Sequence, residues 1–170
     1  MTVVAATNSA LTSQQLALLL QYTVEAYKVF EKFAENIPNP MTRNMFKQFA
    51  VDERGNRDLL EMKNASTGGN RVRVTLGADM IFNEILEGEL SYRESAEFLI
   101  SRERTMQRKL REFINAAVPA DRKLLIFFET VKRAHIVELE RELELIREDG
   151  EWWRREDAQW HMVNGTGPGA

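Results

Sequence analysis

Four long stretches of the chain repeat apolar residues at alternating three- and four-residue spacing, which predicts helices with one buried face. In segment A the stripe reads Leu16, Leu20, Thr23, Tyr27, Phe30 and Ala34, and in segment B it reads Phe46, Phe49, Glu53, Asn56 and Leu60. Segment C gives Ala96, Leu99, Glu103, Met106, Leu110 and Phe113; segment D gives Leu125, Phe128, Lys132, His135 and Leu139. Helix-ending chemistry frames each stretch. Thr12-x-x-Gln15 and Ser91-x-x-Glu94 are capping boxes for A and C, and Asn39-Pro40 is an N-cap followed by proline at the first helical position of B. Pro119-Ala120-Asp121 opens D, and Gly150 closes it. The predicted helices run from about Thr12 to Asn36, Asn39 to Asn64, Ser91 to Ala117 and Pro119 to Asp149. The A–B and C–D connections are short. The B–C connection holds a polar loop, Ser66 to Asn70, and a short helix around Asp79–Glu87. The predicted fold is all-α, a four-helix bundle with a long B–C crossover carrying a short extra helix. Residues 1–11 read as an N-terminal extension, 12–149 as the bundle, and 150–170 as a Trp-rich C-terminal segment ending in a flexible tail.

The stripes are apolar except near their middles, where Thr23, Glu53, Asn56, Glu103, Lys132 and His135 interrupt them at equivalent levels. A charged group on a buried stripe is costly unless it is paired, so these six positions form the candidate site. Inward carboxylates together with a Glu-x-x-His pair on two helices are a way to hold two metal ions. Here Glu53-x-x-Asn56 and Lys132-x-x-His135 keep that spacing with one member of each pair changed.

At these residues the chain resembles the rubrerythrin branch of the ferritin-like family. The resemblance is carried by Phe46-Lys-Gln-Phe-Ala-Val-Asp-Glu-Arg-Gly-Asn56, by Ala96-Glu-Phe-Leu-Ile-Ser-Arg-Glu103 and by the helix around Lys132–His135, within roughly residues 12–148. It implies a di-iron site with one carboxylate from the first helix, a Glu-x-x-His from the second, one carboxylate from the third and another Glu-x-x-His from the fourth. The corresponding positions are Thr23, Glu53 and Asn56, Glu103, Lys132 and His135, of which Glu53, Glu103 and His135 match. The family's rubredoxin-like module needs Cys pairs, and this sequence contains no Cys.

Charge decides what such a site can hold. Four carboxylates balance two divalent ions, whereas Glu53 and Glu103 supply two negative charges and Lys132 adds a positive one. The expectation is therefore a site without a metal cofactor. In it the Lys132 ammonium is the cation between Glu53 and Glu103, with His135 and Asn56 completing the hydrogen bonds, in a structural or partner-binding protein. If metal is retained, Glu53, Glu103 and His135 would bind iron or manganese in a mono- or dinuclear site suited to peroxide or dioxygen activation. With no Cys, electrons for such chemistry would come from another protein.

The composition closes off other classes. A net charge of -3 leaves no electrostatic footprint for nucleic acid, and Arg71-x-Arg73 is too small a patch to supply one. The absence of Cys excludes disulfide scaffolds, Cys-ligated zinc, Fe–S clusters and thiol nucleophiles. Gly68-Gly69 lacks the spacing and the Lys-Ser/Thr of a phosphate-binding loop. The N-terminus lacks a basic region, and the apolar run Leu16–Leu20 is far shorter than the ~20 residues of a membrane span, so a cytoplasmic location is expected.

Two features point to contacts beyond the four core stripes. Segment A has a second apolar strip, Leu11, Leu18, Tyr22, Val29 and Phe33, and segment D opens with Leu124-Leu125-Ile126-Phe127-Phe128, apolar all round. Helices apolar on two sides are buried on two sides, which predicts a homodimer through A and D unless the B–C crossover covers them. Trp152, Trp153 and Trp160 cluster in the C-terminal segment, which is expected to dock on its own bundle or on a protein partner.

Overall fold

A computed structural model describes residues 8–70 and 90–164. Their long elements are four helices, α1 (Ser13–Asn36), α2 (Pro40–Ser66), α3 (Tyr92–Ala116) and α4 (Pro119–Glu148). A 3-10 turn, Trp152–Arg154, and a short α5, Ala158–Asn164, follow. The described residues are all-α, with one isolated bridge between Ser9 and Ala117. The helix expected around Asp79–Glu87 lies outside the described residues. No described helix is long and apolar enough to cross a membrane.

The helix ends are set by the local chemistry that predicted them. The Thr12 hydroxyl accepts from the Gln15 amide at 3.2 Å, and the Gln15 side chain accepts from the Thr12 amide at 2.9 Å. Ser91 and Glu94 repeat this exchange at 3.2 and 2.9 Å. Asn39 Oδ1 caps α2, accepting from Met41 and Thr42. Past the end of α2, Gly68 takes the left-handed backbone, φ 72°, and Gly69 lies so close to Asn64 that a Cβ would fall 2.2 Å from its Oδ1. The Gly-Gly pair is thus a tight helix stop.

α1 lies along α2 and α3 along α4, with α2 also meeting α4. Leu16, Phe30, Phe46, Leu60, Leu99, Leu110, Leu125 and Leu139 fill the shared core, almost fully buried. One end of it is aromatic: the Phe33 and Phe46 rings stack at 4.9 Å between centroids, and Trp153 meets Phe46 edge-on at 5.5 Å.

The buried arc of α1 is wider than a single stripe. Tyr22, Val29 and Phe33, from the second strip, are buried, whereas Tyr27 is half-exposed beneath the Arg54 and Arg57 guanidinium groups at 5.5 and 5.6 Å. α1 packs on α2, and its Phe33 also meets Trp153 at 5.8 Å, so the chain itself covers most of the strip that suggested a second subunit. Leu18 stays 42% exposed. On α4, Leu125 and Phe128 turn inward while Ile126 and Phe127 remain exposed.

Both ends of the described chain close on the helices. The Ser9 amide donates to the Ala116 carbonyl at 2.9 Å, and the Leu11 amide donates to Asp121, which also pairs with Lys63 at 2.5 Å. Trp152 and Trp153 are buried, and both indole N–H groups donate to Glu142 Oε2, at 2.9 and 3.0 Å. The Thr42 hydroxyl donates to the same oxygen at 2.7 Å. Trp160 is exposed.

Candidate functional site

Each long helix sends one or two polar side chains to a common level of the core. Lys132 and His135, three residues apart, share a face of α4, opposite Glu53 of α2 and Glu103 of α3. All four are at most 2% exposed. Lys132 Nζ donates to Glu53 Oε1 and lies 3.3 Å from Glu103 Oε2 and 3.4 Å from Glu103 Oε1. His135 Nδ1 is 3.2 Å from Glu103 Oε2 and 3.6 Å from Glu53 Oε1. The imidazole is held by packing, stacked on Phe49 at 4.0 Å with the edge of Phe30 at 5.7 Å.

Two members of the network were not among the sequence candidates. The Tyr22 hydroxyl donates to Glu103 Oε1 at 2.5 Å, and Lys132 Nζ sits 4.8 Å from the centroid of its ring. Asp52 Oδ2 lies 3.0 Å from His135 Nε2 at the rim, with its side chain 31% exposed. A buried phenol needs a hydrogen-bond partner, which was the available signal for Tyr22. Asp52 is adjacent to a candidate but off the stripe. Of the remaining sequence candidates, Thr23 is buried but donates its hydroxyl to the Leu19 carbonyl at 2.7 Å, within its own helix. Asn56 is buried at 3%, and among the described residues no hydrogen bond joins its side chain to the network. The role expected of Asn56 is filled by Tyr22 and Asp52.

Burial alone would neutralise every group here, pushing carboxylates up and cations down. At Glu103 that push is overcome by Lys132, His135 and Tyr22, and its pKa is held at about 2. At Glu53 burial wins, helped by repulsion from Glu103, and the pKa is raised despite Lys132. Burial also opposes the charges on Lys132 and His135. The two glutamates nevertheless raise Lys132, and hydrogen bonds to Asp52 and Glu103 raise His135. Burial of Tyr22, reinforced by Glu103, holds its phenol well above the usual range. Three carboxylates, Asp52, Glu53 and Glu103, thus face Lys132 and His135. Glu53 Oε2 is buried without a hydrogen-bond partner.

Glu53, Glu103 and His135 each offer one donor atom, and these lie within 4.8 Å of one another. A dinuclear centre would take further ligands at positions 23, 56 and 132. There the Thr23 hydroxyl is committed to backbone, Asn56 carries no charge, and Lys132 is itself a cation placed between the carboxylates. This donor set does not fit two divalent ions. No protein-family model, curated protein or solved structure gives a significant match to the chain.

Proposed function

We propose that the chain is a ferritin-like, rubrerythrin-type four-helix bundle in which the Lys132 ammonium stands where metal ions would sit. In this reading the protein has a structural or partner-binding role and uses no metal cofactor. The observation that carries the reading is the position of Lys132 Nζ, against carboxylates from two different helices in a fully buried site. An ammonium there does the electrostatic work of a cation: it holds α2, α3 and α4 at one level and leaves no open position for a substrate oxygen.

A second reading, an iron- or manganese-dependent oxidoreductase with a single metal, is favoured by one observation. Glu53 Oε2 lacks a partner, and three donor atoms lie within 4.8 Å. It would require Lys132 to withdraw along its stem and His135 to give up a proton. Metal analysis of protein produced in iron- and manganese-rich medium separates the two. The ammonium reading expects far less than one ion per chain after chelator treatment; near-stoichiometric, chelator-resistant metal overturns it. The triple substitution Thr23→Glu, Asn56→His and Lys132→Glu is expected to create metal binding.

A further inference from the structure

The cleft between α1 and α3 opens above the buried network. It encloses about 410 Å³, a volume suited to a small organic molecule. Its apolar surface comes from Leu18, Met106 and the ring of Tyr22. Leu18 is 42% exposed there although Leu16, Leu19 and Leu20 are at most 3% exposed, so the cleft presents a large aliphatic side chain with nothing of the described chain on it.

The polar side of the cleft is positive after its internal pairing. Arg102 faces Glu25 at 3.6 Å and Lys109 faces Glu112 at 3.2 Å. Arg108 donates to the Thr105 hydroxyl at 3.2 Å, and among the described residues no carboxylate lies within ion-pair distance of it. Three cations against two acids leave one positive charge beside an apolar wall. The α1–α2 cleft has no such excess, its acids Glu31 and Glu35 matching Lys47 and Arg54. The α3–α4 cleft shares Arg108 and the same excess but offers only the buried Ile100 and Leu143 as apolar side chains.

We infer that the α1–α3 cleft is a binding site for a small amphipathic monocarboxylate, its apolar body on Leu18, Met106 and Tyr22 and its carboxylate on Arg108. A guanidinium can take a carboxylate through two parallel N–H bonds, which gives orientation as well as charge neutralisation. A neutral ligand would leave Arg108 uncompensated, and a dianion would overfill the single excess charge. The Tyr22 hydroxyl turns away to Glu103, so the ligand meets the ring and no reaction is assigned to the site.

The test titrates octanoate and 4-phenylbutyrate into the full chain, with octanamide as the neutral control, by calorimetry and amide NMR. Octanoate separates an aliphatic tail from the aromatic one of phenylbutyrate. Saturable binding of one molecule of at least one of the two acids per chain is expected, with shifts centred on Leu18, Tyr22 and Arg108. Arg108→Gln should weaken the carboxylates about tenfold or more while changing octanamide less than about twofold. Leu18→Glu should abolish carboxylate binding. Both side chains are exposed, so neither variant threatens folding, and an unchanged thermal midpoint verifies this. Lack of saturable binding by both acids, indifference to both substitutions, or equal weakening of acid and amide by Arg108→Gln would each overturn the inference. None of these outcomes bears on the Lys132 reading.

Discussion

Replacing Lys132 by Met keeps an apolar stem of similar reach and deletes the ammonium. Glu53 and Glu103 then face one another in a site where neither is more than 2% exposed. Glu53 retains only His135 Nδ1 at 3.6 Å as a cationic neighbour. Glu103 gives the scale of the loss. A folded-state pKa of about 2 against an ordinary 4.5 corresponds to roughly 3 kcal/mol of stabilisation at neutral pH, and Lys132 is the strongest of the partners that hold it down. Removing one member of a buried ion pair typically costs ~3–5 kcal/mol, so both routes give the same order. For a chain of this size that lowers the thermal midpoint by on the order of 10 °C. Adding Glu53→Gln removes the carboxylate left stranded. The double variant should therefore recover about 1 kcal/mol or more relative to the sum of the single losses in urea denaturation at pH 7. Because the pair is buried, the coupling should persist in high salt. A Lys132→Met protein within about 0.5 kcal/mol of the parent, or strictly additive losses, would refute an ammonium-centred core.

The contributions of Glu103 and His135 to stability are both fully present between roughly pH 4.5 and 6.5. Glu103, depressed to about 2, contributes fully above its ordinary 4.5 and loses that contribution as the pH falls through the depressed value; Glu103→Gln should flatten this acid limb of the thermal midpoint. His135 is raised from 6.5, so its contribution is present below 6.5 and is lost as the pH rises through the raised value; His135→Phe should remove that limb. Glu142→Leu leaves the Thr42 hydroxyl and two buried indole N–H groups without their acceptor, at about 1–3 kcal/mol each before relaxation. Its tryptophan emission, measured in a Trp160→Phe background, should shift to longer wavelength, and an unchanged spectrum would deny the contact. Gly55 sits in the exposed interior of α2 with open space around its Cα, so Gly55→Ala should stabilise by about 0.5–1 kcal/mol in the same denaturation assay.

Helix ends were legible because caps act locally: Thr12 with Gln15, Ser91 with Glu94, and Asn39 before Pro40 need only three or four residues to be recognised. Glu53, Glu103, Lys132 and His135 were legible for a different reason, since a charge interrupting an apolar stripe signals its own burial. Their partners were less visible. Tyr22 reads as apolar through its ring, and its hydrogen bond spans 81 positions of sequence to Glu103. Thr23 and Asn56 were rightly placed inside, but a hydroxyl on a helix can be satisfied by the carbonyl four residues back, so burial did not imply membership of the network. The width of the α1 buried face depends partly on Trp153, more than a hundred residues away, and helical periodicity carries no trace of that contact. The α1–α3 cleft is likewise a property of packing rather than of spacing.

The central claim is that an ammonium group, and not a metal ion, lies between Glu53 and Glu103. Crystals grown with added ferrous and manganous salts, measured at both absorption edges, test it at the atoms concerned. The account predicts Lys132 Nζ in contact with both carboxylates and no anomalous peak within bonding distance of Glu53, Glu103 or His135. An anomalous peak ligated by those three side chains, with Lys132 swung out of the core, would contradict it.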